Sequence, residues 1–140
     1  MRYLGGKSRT ATQIAEVINK FVGGGCFVSL FCGSCVIESL VNADIKILND
    51  KHEYLIEMYK GLQNGYELPD NLTKEEYYYI KEHKDENKAL TGFVGFGCSF
   101  GGKWFGGYAR NRVGRNYCLE AKKTYNETME WYKKFIFLLS

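Results

Sequence analysis

Apolar residues near the N-terminus recur at the spacing of one face of an α-helix. Four of them fit this spacing before three glycines, starting at Gly23, end the pattern: Ile14, Val17, Ile18 and Phe21. Thr10-x-x-Gln13 stands in front of them and has the form of a capping box, in which two side chains satisfy free backbone N–H groups at a helix start. The pattern therefore predicts a first helix that begins after Thr10 and ends before Gly23.

Two short apolar runs follow, and both are typical of buried strands in a parallel sheet. Residues 26–31 form the first run, which is entered from glycine and left through Cys32-Gly33-Ser34. This exit favours a sharp turn into a short helix over residues 35–41. Residues 46–49 form the second run, which Asp50 closes. The order of strands and helices predicts an α/β sheet.

Helical spacing returns in the middle of the chain and is then interrupted. One helix is predicted by four apolar residues ahead of Pro69, the only proline of the chain: Leu55, Ile56, Tyr59 and Leu62. Thr73-x-x-Glu76 predicts a second capping box at the start of a charged helix. Residues 91–117 break the helical pattern, because they are rich in glycine and aromatic side chains. From residue 118 to about residue 137 a further helix is predicted.

Composition limits the class of protein. With 140 residues and 45% hydrophobic content, the chain can bury one core, as one domain or as part of a larger one. A net charge of +3 does not by itself indicate a nucleic-acid partner. No apolar run approaches the roughly 20 residues of a membrane span, and the N-terminus is too polar for a signal peptide. We expect a cytoplasmic protein without a membrane partner, whose five cysteines remain thiols.

The turn after the first strand is a candidate binding site. The strand runs into Phe31-Cys32-Gly33-Ser34-Cys35, and Asp50 ends the next strand. Nucleotide-like ligands bind at the carboxyl ends of parallel strands, where glycine admits a close approach and an acid accepts ribose hydroxyls. An ordinary strand-to-helix turn with a solvent-exposed aspartate explains the same residues equally well. These residues alone leave the two interpretations open.

Three segments together resemble a known enzyme family. Tyr3-Leu4-Gly5-Gly6-Lys7, the Phe31 to Cys35 turn and Leu48-Asn49-Asp50 are similar in order and spacing to DNA adenine-N6 methyltransferases of the Dam-like D12 class. The similarity continues through residues 55–59 and 92–97, and covers most of the chain up to about Tyr117. The resemblance implies a partial Rossmann-like, S-adenosylmethionine-dependent methyltransferase fold, followed by a helical and glycine-aromatic DNA-recognition segment.

The resemblance also implies which residues contact S-adenosylmethionine. Tyr3 would be an aromatic wall, Lys7 a polar contact, Phe31 and Gly33 the walls of the methionine side, and Asp50 the acceptor of the ribose hydroxyls. The full predicted set is Tyr3, Gly5, Gly6, Lys7, Phe31, Cys32, Gly33, Ser34 and Asp50. Two residues depart from the family pattern. Cys35 replaces the usual second glycine, and Ser29 stands where an acid often precedes the turn.

A basic and aromatic segment predicts a contact with double-stranded DNA. Residues 91–117 carry four cations and no anion among many rings, so they can neutralise phosphates and offer stacking surfaces. The predicted DNA-binding residues are Lys103, Trp104, Arg110, Arg112 and Arg115. The alternative is that the rings belong to the core and the cations only keep the surface soluble.

The resemblance further implies that the catalytic segment lies elsewhere. The family accepts the amino hydrogens of a flipped adenine with an Asp/Asn/Ser-Pro-Pro-aromatic segment, and the single proline of this chain cannot form it. We expect a cofactor-binding part over residues 1–90, the start of a DNA-recognition region over 91–140, no catalytic or metal site, and a C-terminal half or other protein as a possible partner. A truncated, non-catalytic binding protein is the alternative. A thioredoxin-like redox site at Cys32-x-x-Cys35 is a minor one.

Overall fold

The computed structural model describes residues 1–110 and 112–139. Within these residues the chain forms six α-helices and three β-strands. In chain order they are α1 (Ala11–Val22), β1 (Gly24–Ser29), α2 (Val36–Leu40), β2 (Ala43–Asp50), α3 (Glu53–Gln63), α4 (Lys74–Glu82), α5 (Lys88–Gly97), α6 (Tyr117–Tyr132) and β3 (Ile136–Leu139). A 3₁₀ turn, Phe100–Gly102, follows α5. None of the helices in this described part is long and apolar enough to cross a membrane.

The three strands form one parallel sheet in the order β1-β2-β3. Val28 on β1 pairs with Ile47 on β2, which in turn pairs with Ile136 on β3. Each parallel connection needs a crossover: α2 lies in the connection from β1 to β2, and α3 to α6 lie in the connection from β2 to β3. The prediction of a parallel α/β sheet is confirmed. Since all strands run in one direction, their carboxyl ends share one edge of the sheet.

The two faces of this sheet differ in their environment. Leu48 and Phe137 are in register on one face, and both are buried in the main core against α3. The other face carries Val28, Ile45 and Ile136, each about half exposed. Parallel sheets are normally covered on both faces, because their strands are apolar on both sides. Within the described residues, this second face is an open apolar surface.

Helices α3 and α5 pack so closely that glycine is required between them. A Cβ atom at Gly92 would lie 2.1 Å from the carbonyl oxygen of Tyr54 and 2.9 Å from Cβ of Met58. The buried face of α3 includes Leu55 and Tyr59, neither of which is exposed to solvent. Helix α3 also contacts β2 and β3 of the sheet.

Three local predictions had different outcomes. The capping box of Thr73 and Glu76 is confirmed, with both of its hydrogen bonds present. The capping box of Thr10 is wrong, because Thr10 makes no side-chain cap and its hydroxyl donates to the carbonyl of Lys7 instead. The predicted helix over residues 118–137 ends at Tyr132. Residues 136–139 form β3, because the register with β2 buries Phe137.

The interrupted segment is also more regular than the sequence pattern predicts. Its first part lies in α5, where residues 91–97 are all buried. Burial on every side removes the amphipathic spacing by which a helix is recognised, so glycine and phenylalanine here reflect tight packing. The proposed functional division near residue 90 stays a prediction.

Candidate functional site

Asp50 joins the carboxyl ends of β1 and β2. Its Oδ2 accepts a hydrogen bond from the backbone N–H of Gly33 at 2.9 Å, and its Oδ1 accepts one from the N–H of His52 at 2.9 Å. The turn after β1 is therefore held directly on the acid that ends β2, as expected from their places at strand carboxyl ends.

The turn itself uses two residues in the left-handed backbone region. Gly33 has φ +49°, and Cys35 has φ +58°. A non-glycine residue pays a steric cost of roughly 1 to 2 kcal/mol in this region, because its Cβ crowds the following carbonyl. Cys35 therefore adopts a backbone conformation that glycine would adopt without this cost.

Two buried tyrosines support the turn from below. The hydroxyl of Tyr59 on α3 donates to the carbonyl of Gly33 at 2.8 Å, and the hydroxyl of Tyr132 on α6 donates to the carbonyl of Ser34 at 2.9 Å. Burial raises the pKa of both phenols, so they remain neutral donors. The sequence pattern placed Tyr59 on a helix face but gave no sign of this role, because the contact joins residues far apart in the chain.

A cavity of about 300 Å³ lies over this turn, and the N-terminal segment forms its other wall. All nine residues predicted to contact the cofactor line it: Tyr3, Gly5, Gly6, Lys7, Phe31, Cys32, Gly33, Ser34 and Asp50. Val36, Ile37 and Glu38 from α2 complete the lining, and sequence reasoning did not select them. Three segments that are distant in sequence thus meet at one concave site.

The aromatic and basic side chains of the cavity have distinct environments. The ring of Tyr3 lies 4.9 Å from the ring of Phe96, and it would be 3.4 Å from a Cβ at Gly33. Phe31 is 83% exposed, so it is not a core residue. The ammonium of Lys7 donates to the carbonyl of Gly5 at 3.0 Å. These contacts leave a flat aromatic face and a cation at the rim of the cavity.

The predicted DNA-binding residues lie outside this cavity. Trp104 packs in an aromatic cluster, with its ring 4.2 Å from His52 and so close to Gly95 that a Cβ there would overlap it. Arg115 forms an ion pair with Glu120 at 2.7 Å. The remaining three cations are exposed: Lys103, Arg110 and Arg112. Much of the aromatic character of this segment therefore serves the core, whereas these three cations face solvent.

The two cysteines of the turn are buried thiols. Cys32 is 5% exposed and Cys35 is fully buried. Burial, together with the hydrogen bond to Cys32, raises the pKa of the Cys35 thiol well above its ordinary value. A redox-active thiol needs a lowered pKa and access to solvent. The environment of Cys35 is the opposite of what the thioredoxin-like alternative requires.

Comparison with known proteins agrees with the geometry of the cavity. No curated protein matches the chain significantly. A family model, described as D12 class N6 adenine-specific DNA methyltransferase, matches residues 3–95. The matched region includes the N-terminal segment, the turn after β1 and Asp50, which together form the cavity. The match covers well over half of the chain, and the protein belongs to the D12 class of N6 adenine-specific DNA methyltransferases.

Proposed function

We propose that this chain binds S-adenosylmethionine in the cavity over the β1 turn and double-stranded DNA through its exposed cations, as the cofactor-binding part of an adenine-N6 methyltransferase. The observation that carries the proposal is that all nine residues expected to contact the cofactor line one cavity. A chance set of residues from three separate segments would not converge in this way.

The chemistry of the lining fits this cofactor. Asp50 is a carboxylate that can accept hydrogen bonds from a ribose diol, in addition to the two backbone N–H groups it already accepts. Phe31 offers an exposed ring to a sulfonium or an adenine. Gly6 lies close to the carbonyl of Tyr3, and because it has no side chain the backbone itself forms this part of the cavity wall. When bound, the cofactor supplies a methyl group on a sulfonium.

These residues can bind and orient, but they do not provide the acceptor for methyl transfer. Adenine N6 becomes positively charged as it attacks, and its hydrogens need acceptors of the Pro-Pro segment. The chain has one proline, Pro69, so its 140 residues do not contain that segment. Losing a single such electrostatic group typically costs about 100-fold to 1,000-fold in rate. We therefore expect no detectable transfer by these residues alone.

Calorimetry with S-adenosylhomocysteine tests the cofactor site. Asp50→Ala should weaken binding by about 1.5 to 3 kcal/mol, the usual cost of losing a hydrogen bond to a charged group. Because Asp50 also holds the turn, the melting temperature of each variant has to be measured in parallel. Asp44→Asn removes an exposed charge from the same strand and should leave binding unchanged. Equal affinities of wild type and Asp50→Ala would remove Asp50 from the site.

A second function, binding of a partner polypeptide, is favoured by the open face of the sheet. Val28, Ile45 and Ile136 form an apolar surface of the kind that marks an interaction site, and β1 is a free edge strand among the described elements. A polypeptide that carries the Pro-Pro segment would complete both the sheet and the catalytic centre. Tritiated-methyl incorporation into adenine should then occur only in the mixture of the two. No activity in a mixture that forms a complex would favour a binding protein.

A further inference from the structure

A second acid, Glu38, lines the cavity and has no role in the contacts described so far. Glu38 lies on α2 and is only 5% exposed. Glutamate is almost never this deeply buried unless it is paired. Its Oε1 accepts a short hydrogen bond of 2.6 Å from the hydroxyl of Ser29, the last residue of β1.

No cation of the described residues forms an ion pair with Glu38. The ion pairs found there join other acids: Glu57, Glu53, Glu120, Asp70 and Glu130. Lys46 is the basic group that acts on Glu38, from beyond ion-pair distance. Its ammonium lies over the ring of Phe135, 5.1 Å from the centroid. Only neutral donors, the Ser29 hydroxyl and the backbone N–H of Glu38 itself, therefore face a carboxylate whose burial demands a stronger partner.

The electrostatics of the free protein reflect this lack of a charged partner. Burial raises the pKa of the Glu38 carboxyl most, hydrogen bonds from Ser29 and from the backbone N–H of Glu38 itself lower it by less, and Asp50 raises it further. Two carboxylates, Glu38 and Asp50, thus line the same cavity. A ligand that brings a positive charge into the cavity compensates for the desolvation of the Glu38 carboxylate and for its repulsion from Asp50.

We propose that Glu38 binds the ammonium group of the ligand in this cavity and that Ser29 is its positioning residue. For the cofactor proposed above, on which this inference rests, the group is the α-ammonium of the amino-acid portion. An ammonium is compact and has three donors, so it can reach a carboxylate oxygen that Ser29 does not use. The buried acid is retained for binding, at a cost to the stability of the free protein.

The test compares two ligands that differ in the amino-acid portion, which carries the ammonium. S-adenosylhomocysteine carries the amino-acid portion, whereas 5′-methylthioadenosine keeps the adenine, ribose and thioether but lacks it. Glu38→Gln should weaken binding of S-adenosylhomocysteine by about 10-fold to 100-fold and leave binding of 5′-methylthioadenosine within about 2-fold. Glu82→Gln, on the exposed side of α4, is the matched control and should change neither affinity.

A second readout separates binding from a structural role. If Glu38 only held the end of β1 through Ser29, its loss would lower the melting temperature. We expect the melting temperature of free Glu38→Gln at neutral pH to rise, because a buried charge is removed while an amide can still accept from Ser29. Ser29→Ala, which frees the carboxylate from its donor, should weaken binding of S-adenosylhomocysteine by a few-fold.

The failures of the two proposals are distinguishable. Wild type that binds neither ligand would overturn the cofactor proposal and this inference with it. Wild type that binds S-adenosylhomocysteine as tightly as Glu38→Gln does would overturn the inference alone. Equal losses for both ligands, with a lowered melting temperature, would make Glu38 a structural residue and would also overturn it.

Discussion

Replacing Gly92 by alanine tests the contact between α3 and α5 on which the site is built. The added Cβ would lie 2.1 Å from the carbonyl oxygen of Tyr54, whereas ordinary contacts begin at 3.4 Å. The obstructing atom is backbone, so it cannot rotate aside. One helix must therefore move by about 1.3 Å, the difference between these two distances. Tyr59, which supports the Gly33 carbonyl, lies on α3, one of these two helices.

Two opposing effects set the magnitude. Overpacking of a core typically costs about 1 to 3 kcal/mol, and a backbone obstruction belongs at the upper end. Alanine gains about 1 kcal/mol over glycine from helix propensity. The net loss in the free energy of unfolding should be about 2 kcal/mol. With an unfolding entropy of about 2.1 cal/mol/K per residue, a chain of 140 residues should melt about 7 °C lower.

Thermal unfolding followed by circular dichroism measures this change. Gly25→Ala is the matched control, because its Cβ would meet only the carbonyl of Val22 at an ordinary 3.5 Å. Its melting temperature should stay within about 2 °C of wild type, corresponding to less than about 0.5 kcal/mol. A Gly92→Ala variant that melts at or above the wild-type temperature would refute the close packing. Helix propensity would then dominate, and α3 and α5 would be further apart than described.

Three further predictions address the site and the surface. Tyr59→Phe leaves the partly buried carbonyl of Gly33 without its donor, so the free energy of unfolding in urea should fall by about 1 to 2 kcal/mol. An unchanged value would contradict the support of the turn. Removing Arg110 and Arg112 together should reduce the slope of log affinity for duplex DNA against log salt concentration by about 2. Removing Lys20 on α1, the control, should leave the slope unchanged. An unaltered slope in the double variant would show that neither arginine contacts DNA phosphates. Burial raises the pKa of Glu38 in the folded protein. The contribution of this carboxyl to the free energy of unfolding is therefore fully present below its pKa in the unfolded chain, and it is lost as pH rises through its pKa in the folded protein. The melting temperature of Glu38→Gln relative to wild type should accordingly be higher at pH 8 than at pH 5, and a constant difference would argue against a buried charge.

Sequence patterns were sufficient for elements whose signals are local. The spacing of apolar residues predicts α1 and α3, and the capping box of Thr73 and Glu76 predicts the start of α4. These signals depend on residues within one or two turns of each other, so they can be read without a fold. The runs at residues 26–31 and 46–49 predict strands because they are short, apolar and bounded by turn residues. Residues 26–29 of the first run lie in β1, and the second run lies within β2.

The nine predicted site residues that line the cavity could be selected from the sequence because three short motifs carry them in a recognisable order. What the motifs could not indicate is which distant side chains support them. Tyr59 and Tyr132 hold the carbonyls of the turn from two helices, and Glu38 reaches the end of β1 through Ser29. Each of these contacts depends on how elements pack, and a tyrosine or a glutamate on a helix has the same local pattern whether it faces a turn or solvent.

The sequence by itself determined the local elements, the order of the motifs and the chemical types available at the site. Tertiary structure decided the rest, because burial and register are properties of the packed chain. The segment after residue 90 shows this most clearly. Its glycines and rings read as an irregular, DNA-facing stretch, yet packing on all sides turns its first part into the buried helix α5 and places Trp104 against Gly95. Likewise, residues 136–139 form a strand because they pair with β2 in a register that buries Phe137. The local spacing of apolar residues does not indicate this pairing.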